Sequence, residues 1–201
     1  MAIHRLFVFA AAALIALAAP AQEPAIHPKD TSALRPPPGT KVAIVEFADM
    51  ECPMCARENP VIQQAVNQYH VPWLRYDFPL PMHNWSFQAA VNGRWFDTKS
   101  KNLGDEYRNA VFANQPSIET RADLQNFTQK FAEQHGVALP FVMDPQGKLA
   151  AEVKADVALG NRIGVNATPT AWVVTDHGYK QVLDFNKLYQ MLDEAQAQTK
   201  S

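Results

Sequence analysis

The sequence predicts an α/β fold, with one mixed central sheet, helices on both its faces, and a helical subdomain inserted between its two halves. Three observations lead there. Strand-like runs rich in β-branched and aromatic residues occur in two groups, an early pair and a late pair. Helical spacing of apolar residues fills the chain between and after them. The two groups are separated by roughly 80 residues, too long a connection for a structureless loop inside one domain.

Taken in order, Lys41–Ala48 (KVAIVEFA) reads as a buried strand, and Pro53 opens a helix that runs to about Tyr69. Pro60 stands inside that helix and should kink it. Val71–Phe78 (VPWLRYDF) reads as a second strand, bounded by Pro79 and Pro81. Helices are then expected over 84–101, 105–114, 119–135 (with Ser117 as its cap) and about 150–163. Gly160 and Gly164 mark a helix end or turn rather than a dinucleotide fingerprint. Strand character returns at Thr170–Thr175 (TAWVVT), followed by a turn at His177-Gly178 and a short strand near 179–183. A final amphipathic helix is expected over 186–196.

Residues 1–21 are set apart as a secretory signal. His4 and Arg5 precede an unbroken apolar run from Leu6 to Ala19, and Ala19-Pro20-Ala21 puts small residues where a signal peptidase reads. The run is shorter than the ~20 residues a membrane-spanning helix needs, although an uncleaved N-terminal anchor is the alternative. Residues 22–40, with Pro24, Pro28, Pro36, Pro37 and Pro38, read as an extended arm or linker. The domain proper is expected over 41–197, with its helical insertion at about 84–164. The 47% hydrophobic content fits a globular chain, and a net charge of −2 without a basic run argues against a nucleic-acid partner.

The chain has two cysteines, Cys52 and Cys55, three positions apart and placed where a strand gives way to a helix. A structural bridge there would close almost no loop and stabilise little. A reactive pair makes better use of the position. At a helix N-terminus Cys52 faces unpaired N–H groups and the positive end of the dipole, which favour the thiolate that does disulfide exchange. Pro53 suits the first helical position because its missing N–H costs nothing there. Cys52 is the expected attacking thiol, and Cys55, one turn on, the resolving one. Half a zinc site has the same Cys-x-x-Cys spacing, but His70, His83, His135 and His177 lack ligand spacing. No metal and no cofactor beyond the Cys52–Cys55 disulfide is expected.

Around this motif the chain resembles the DsbA-like thioredoxin-fold oxidoreductases of the bacterial cell envelope. The resemblance rests on Glu46-Phe47-Ala48-Asp49-Met50-Glu51-Cys52-Pro53-Met54-Cys55, on Pro60, on Thr168-Pro169 within GVNATPTAWVV, and on the inserted helical block. The strand exit Phe78-Pro79-Leu80-Pro81-Met82-His83 is also similar. It covers about 41–196. It implies that Pro169 is cis, with the Thr168 backbone beside the sulfurs to pair with a substrate strand. It also implies that Glu46 is a buried carboxylate shuttling the proton of Cys55, where alternation alone does not settle which face it occupies. Met82 and His83 are assigned no role.

Two departures concern redox tuning. Strongly oxidising members carry a histidine in the two-residue spacer, where this chain has Pro53-Met54, so a less oxidising disulfide is expected. Glu51 should also disfavour a thiolate if its carboxylate points at Cys52. The expected function is an exported dithiol oxidase of the periplasm or cell envelope. It would act on cysteine-containing substrate proteins and exchange electrons with a membrane redox partner, a quinone-linked oxidase or an electron donor. The alternatives are a disulfide reductase or isomerase kept reduced by a membrane donor, and a Cu(I) carrier using the two thiols with a methionine or histidine.

Overall fold

The computed structural model describes residues 25–199, so the expected signal over 1–21 and the first residues of the arm lie outside the described residues. The elements follow the order β1 (Val42–Ala48), α1 (Pro53–Tyr69), β2 (Trp73–Asp77), α2 (Ser86–Asp97), α3 (Lys101–Asn114), α4 (Arg121–Gln134), α5 (Lys148–Ile163), β3 (Thr170–Thr175), β4 (Gly178–Gln181) and α6 (Leu188–Gln198). They form a mixed four-stranded sheet in the order β2-β1-β3-β4, flanked by helices in a thioredoxin-like arrangement. β1 and β2 are parallel, and α1 makes the crossover between them. β3 runs antiparallel to both β1 and β4.

The period-two alternation of a strand explains why β1 reads as a continuous apolar run: both its faces are covered. Val42 and Ile44, with Ala171 and Val173 of β3, pack under Ile62 and Ala65 of α1 and Leu188 and Leu192 of α6. Ala43, Val45 and Phe47, with Trp172 and Val174, meet Phe78, Ile163 and Val165 on the opposite face. A third cluster lies among the inserted helices α2 to α5, around Trp85, Phe96, Tyr107, Leu124 and Phe131. It extends to Met50, Cys52 and Cys55, so the redox pair sits on the seam between the sheet unit and the insertion. Among the described residues no helix is long and apolar enough to cross a membrane.

Several element ends differ from expectation for local chemical reasons. The helix expected over 84–101 ends at Asp97, and Ser100 caps a new one by accepting from Leu103 N at 3.1 Å. The cap of α4 is Thr120 rather than Ser117, in a capping box with Asp123. Ser117 falls in a short 3-10 turn over Gln115–Ser117. β4 stops at Gln181, and Asp184 starts another 3-10 turn that delays α6 to Leu188. The arm forms no helix or strand over 25–40, and its Leu34 is buried against the sheet. Its backbone is tied by Ile26 N to Gln181 Oε1 at 2.6 Å, and its Asp30 by Arg162 at 3.0 Å.

Candidate active site

Cys52 is the N-cap of α1, in extended conformation, and Pro53 occupies the first helical turn. The preceding turn is closed by Cys52 N donating to Asp49 O at 3.1 Å, and α1 begins with Ala56 N donating to Cys52 O at 3.1 Å. This leaves the first N–H groups of the helix facing the Cys52 sulfur. Cys52 is 6% exposed and Cys55 fully buried, both as free thiols.

The Thr168–Pro169 peptide is cis, and the Cys52 thiol donates to Thr168 O at 3.2 Å. Residues 116 positions apart thus meet at one sulfur. The Cys52 thiol is pushed down to about 5, first by its hydrogen bond with the Cys55 thiol. The Thr168 hydroxyl and the backbone N–H groups of Cys55 and Met54 add to this, against the cost of burial. That hydroxyl is buried and makes no hydrogen bond among the described residues while Cys52 is protonated, which leaves it available to the thiolate. Cys55 goes the other way. Burial first, then its hydrogen bond with Cys52 and the Glu46 charge, hold its thiol well above the usual range. The two thiols therefore have opposite tendencies: one ionises readily and the other holds its proton.

Glu46 is buried (1% exposed) rather than at the surface, on the α1/α6 side of β1. Its Oε2 accepts from Trp73 Nε1 at 2.9 Å, and Arg75 Nε lies 4.0 Å away. Burial raises its carboxyl to about 7 despite these two partners. Arg75 stacks over the Trp73 ring at 3.7 Å and donates to Asn59 at 3.3 Å and Asn109 at 3.1 Å. Glu46 is thus a proton-bearing group near neutral pH, close enough for its charge to act on Cys55.

Two acidic residues of the motif behave in ways the sequence did not disclose. Glu51 points away from Cys52: its carboxylate accepts Asn84 N at 3.0 Å, Trp85 N at 2.6 Å and Ser86 N at 2.9 Å. It satisfies the orphan donors at the start of α2, so the expected repulsion of the Cys52 thiolate is not realised. Asp49 is buried, and its backbone N–H donates to Cys55 Sγ at 3.5 Å. Its carboxylate accepts from Glu51 N at 2.7 Å and Leu80 N at 2.6 Å, and pairs with His83 Nδ1 at 2.7 Å. His83, given no role above, thereby anchors the strand exit to the loop that faces Cys55. An acid three residues before the first cysteine was the available signal, but nothing in the sequence shows that position 83 folds back onto it.

Met54, within the motif, is exposed (45%). Among the described residues no group of three or more His, Cys, Asp or Glu side chains could hold a metal ion. The copper-carrier alternative finds no support in this geometry.

A family model described as thioredoxin matches residues 35–194. No curated protein matches the chain in sequence. Solved structures of similar fold include the thiol-disulfide exchange protein α-DsbA2 of Wolbachia pipientis, at 19% identity and TM-score 0.64, covering 80% of this chain and 84% of that one. α-DsbA1 of the same organism matches at 16% identity and TM-score 0.65, covering 82% and 90%. A periplasmic thioredoxin-like protein of Salmonella enterica serovar Typhimurium matches at 16% identity and TM-score 0.63, covering 81% and 88%. At these identities the likeness is one of fold.

Proposed function

The chain belongs to the thioredoxin family, and on that premise we propose that it is a protein-disulfide oxidoreductase acting as a dithiol oxidase outside the cytoplasm. The carrying observation is the asymmetry of the pair, a Cys52 thiol lowered to about 5 beside a Cys55 thiol held well above its usual value. A stabilised thiolate stabilises the reduced form, and that makes the disulfide an oxidant.

The steps follow from the geometry. A substrate thiolate attacks Cys52 Sγ of the oxidised protein, forming a mixed disulfide and breaking the Cys52–Cys55 bond. Cys55 leaves as a thiolate and takes a proton, for which the buried Glu46 carboxyl is the nearby source. A second substrate thiolate then attacks the substrate sulfur of the mixed disulfide and releases Cys52 as its stable thiolate. The substrate loses two electrons and the Cys52–Cys55 pair gains them. Thr168 O, now bonded by the Cys52 thiol, offers the main-chain acceptor against which an extended substrate segment would lie. Re-oxidation by a membrane redox partner completes the cycle. The apolar 6–19 run, read as a secretory signal, and the periplasmic source of one protein of like fold support an envelope location.

The test mixes the oxidised protein with a reduced, unfolded disulfide protein at pH 7. Loss of substrate thiols in step with reduction of the Cys52–Cys55 pair is expected. Cys52→Ser should be inert, and Cys55→Ser, with Cys52 first loaded as a glutathione mixed disulfide, should exchange it for a single-cysteine substrate, the substrate thiolate attacking Cys52 Sγ and glutathione leaving. A protein that leaves substrate thiols untouched but reduces an oxidised substrate would move the assignment to reductase.

A further inference from the structure

We propose that Gln115 is a positioning residue for the Cys52 thiolate, through which the inserted helices set the strength of the redox pair. The inference rests on the thiol–disulfide reading above and adds the group by which the insertion acts on it.

Gln115 opens the 3-10 turn after α3, inside the insertion. Its side-chain amide crosses the seam and donates to Met50 O at 2.8 Å and to Cys52 O at 3.0 Å. Both amide hydrogens are thus committed to the two carbonyls that bracket the nucleophile's approach to α1. From its other side the same segment is held by Glu51, whose carboxylate takes three N–H groups at the start of α2. The residues from Met50 to Cys52 are therefore gripped by the insertion at two points, from α2 and from the end of α3.

The grip bears on chemistry because of which carbonyl is held. Cys52 O belongs to the peptide that leads into Pro53, and it also accepts the first helical hydrogen bond, from Ala56 N. Pro53 has no N–H to offer, so the backbone donors that lower the Cys52 thiol are those of Met54 and Cys55. Fixing the Cys52 carbonyl fixes the direction of that first turn and keeps both donors aimed at the sulfur. The thiolate depends on them, whereas a disulfide sulfur, held by its covalent bond, depends on them far less. Loss of the Gln115 amide should therefore penalise the reduced form more than the oxidised one. A merely structural contact would destabilise both forms alike and leave their ratio unchanged.

The test substitutes Gln115→Met, which keeps the length and bulk of the side chain and removes both donors. The equilibrium with glutathione and the pH titration of the Cys52 thiol are measured beside wild type. The expected result is a disulfide about fivefold less oxidising, the factor that losing one backbone N–H bond to the thiolate supplies, with Cys52 titrating at higher pH. Asn114→Ala is the neighbouring control, because among the described residues its amide bonds only Ala110 O, at 2.8 Å within the end of α3. It should leave both readouts unchanged. If Gln115→Met does not fold, Gln115→Asn replaces it, one methylene too short to reach both carbonyls and expected to shift the same way. An unchanged equilibrium and titration in the folded variant, or an equal shift in Asn114→Ala, would overturn the proposal while leaving the oxidoreductase reading intact. A wild-type chain that never equilibrates with glutathione overturns that reading and this one with it.

Discussion

At Glu46, burial alone turns an ordinary carboxylate into a group that holds its proton near neutral pH. Its folded value of about 7 lies above its usual 4.5, so the stability its neutral form supplies is complete below about pH 4.5. That stability is lost as pH rises through 7. In the oxidised protein the cysteines do not titrate, and the difference between wild type and a Glu46 variant separates Glu46 from other acids that titrate in this range, Asp156 among them. Glu46→Gln should flatten the decline in unfolding free energy between pH 4.5 and 8, a difference on the order of 3 kcal/mol. Denaturant midpoints against pH check this. The same substitution should slow release of Cys55 from the disulfide at pH 7, because the nearby proton is gone. A stability profile as steep as wild type would contradict the assignment.

The elements were most legible where local pattern and environment agree. Thr170–Thr175 is read to the residue, as is α1, because Pro53 fixes its start and helical spacing carries it to Tyr69. The contact of Cys52 with Thr168, the cis peptide at Pro169 and the burial of Glu46 were legible from spacing and resemblance together. What escaped the sequence is what depends on long-range partners. Glu51 caps α2 from 34 residues away, and Asp49 meets His83 at the same separation, so neither pairing leaves a local signature. Gly160 is another such case. It reads as a helix end, yet it lies inside α5, and only Gly164, at φ 103°, ends the helix. A Cβ at Gly160 would stand 2.6 Å from the Phe78 ring and 3.1 Å from Phe47, so glycine lets α5 approach the sheet. Alanine should gain about 1 kcal/mol in helix propensity yet force the Phe78 ring aside. With an overpacking cost of about 1–3 kcal/mol, a net destabilisation of up to about 2 kcal/mol is expected from urea unfolding, and a net stabilisation would count against the close packing.

Across the whole molecule, the insertion is joined to the sheet by charge as well as by the active-site seam. Arg94 of α2 donates to Asp77 at the end of β2 at 2.7 Å and also to Asp156 of α5. Arg108 of α3 pairs with Asp97 at 2.7 Å and lies 3.8 Å from Asp77. Asp77 and Arg108 are both buried, so each charge needs the others. Arg94→Met leaves Asp77 and Asp156 facing each other without their shared cation. It should lower unfolding free energy at pH 7 by about 3 kcal/mol, measured by denaturant titration, with part of the loss recovered at lower pH as Asp156 takes up a proton. A loss independent of pH would mean that lost packing, not the stranded charges, sets the cost.

The central claim is that one thiol of the pair is a stable thiolate and the other is not. It is tested most directly by following thiolate absorbance of the reduced protein against pH, in wild type and in Cys55→Ser. The account predicts a single cysteine ionising near pH 5 in wild type, assigned to Cys52 by its alkylation there, with no second ionisation below pH 9. A serine hydroxyl in place of the Cys55 thiol keeps a donor beside Cys52, so Cys55→Ser should retain that single low titration and thereby assign it to Cys52. Two overlapping ionisations near the ordinary cysteine value of about 8.5 would contradict the account.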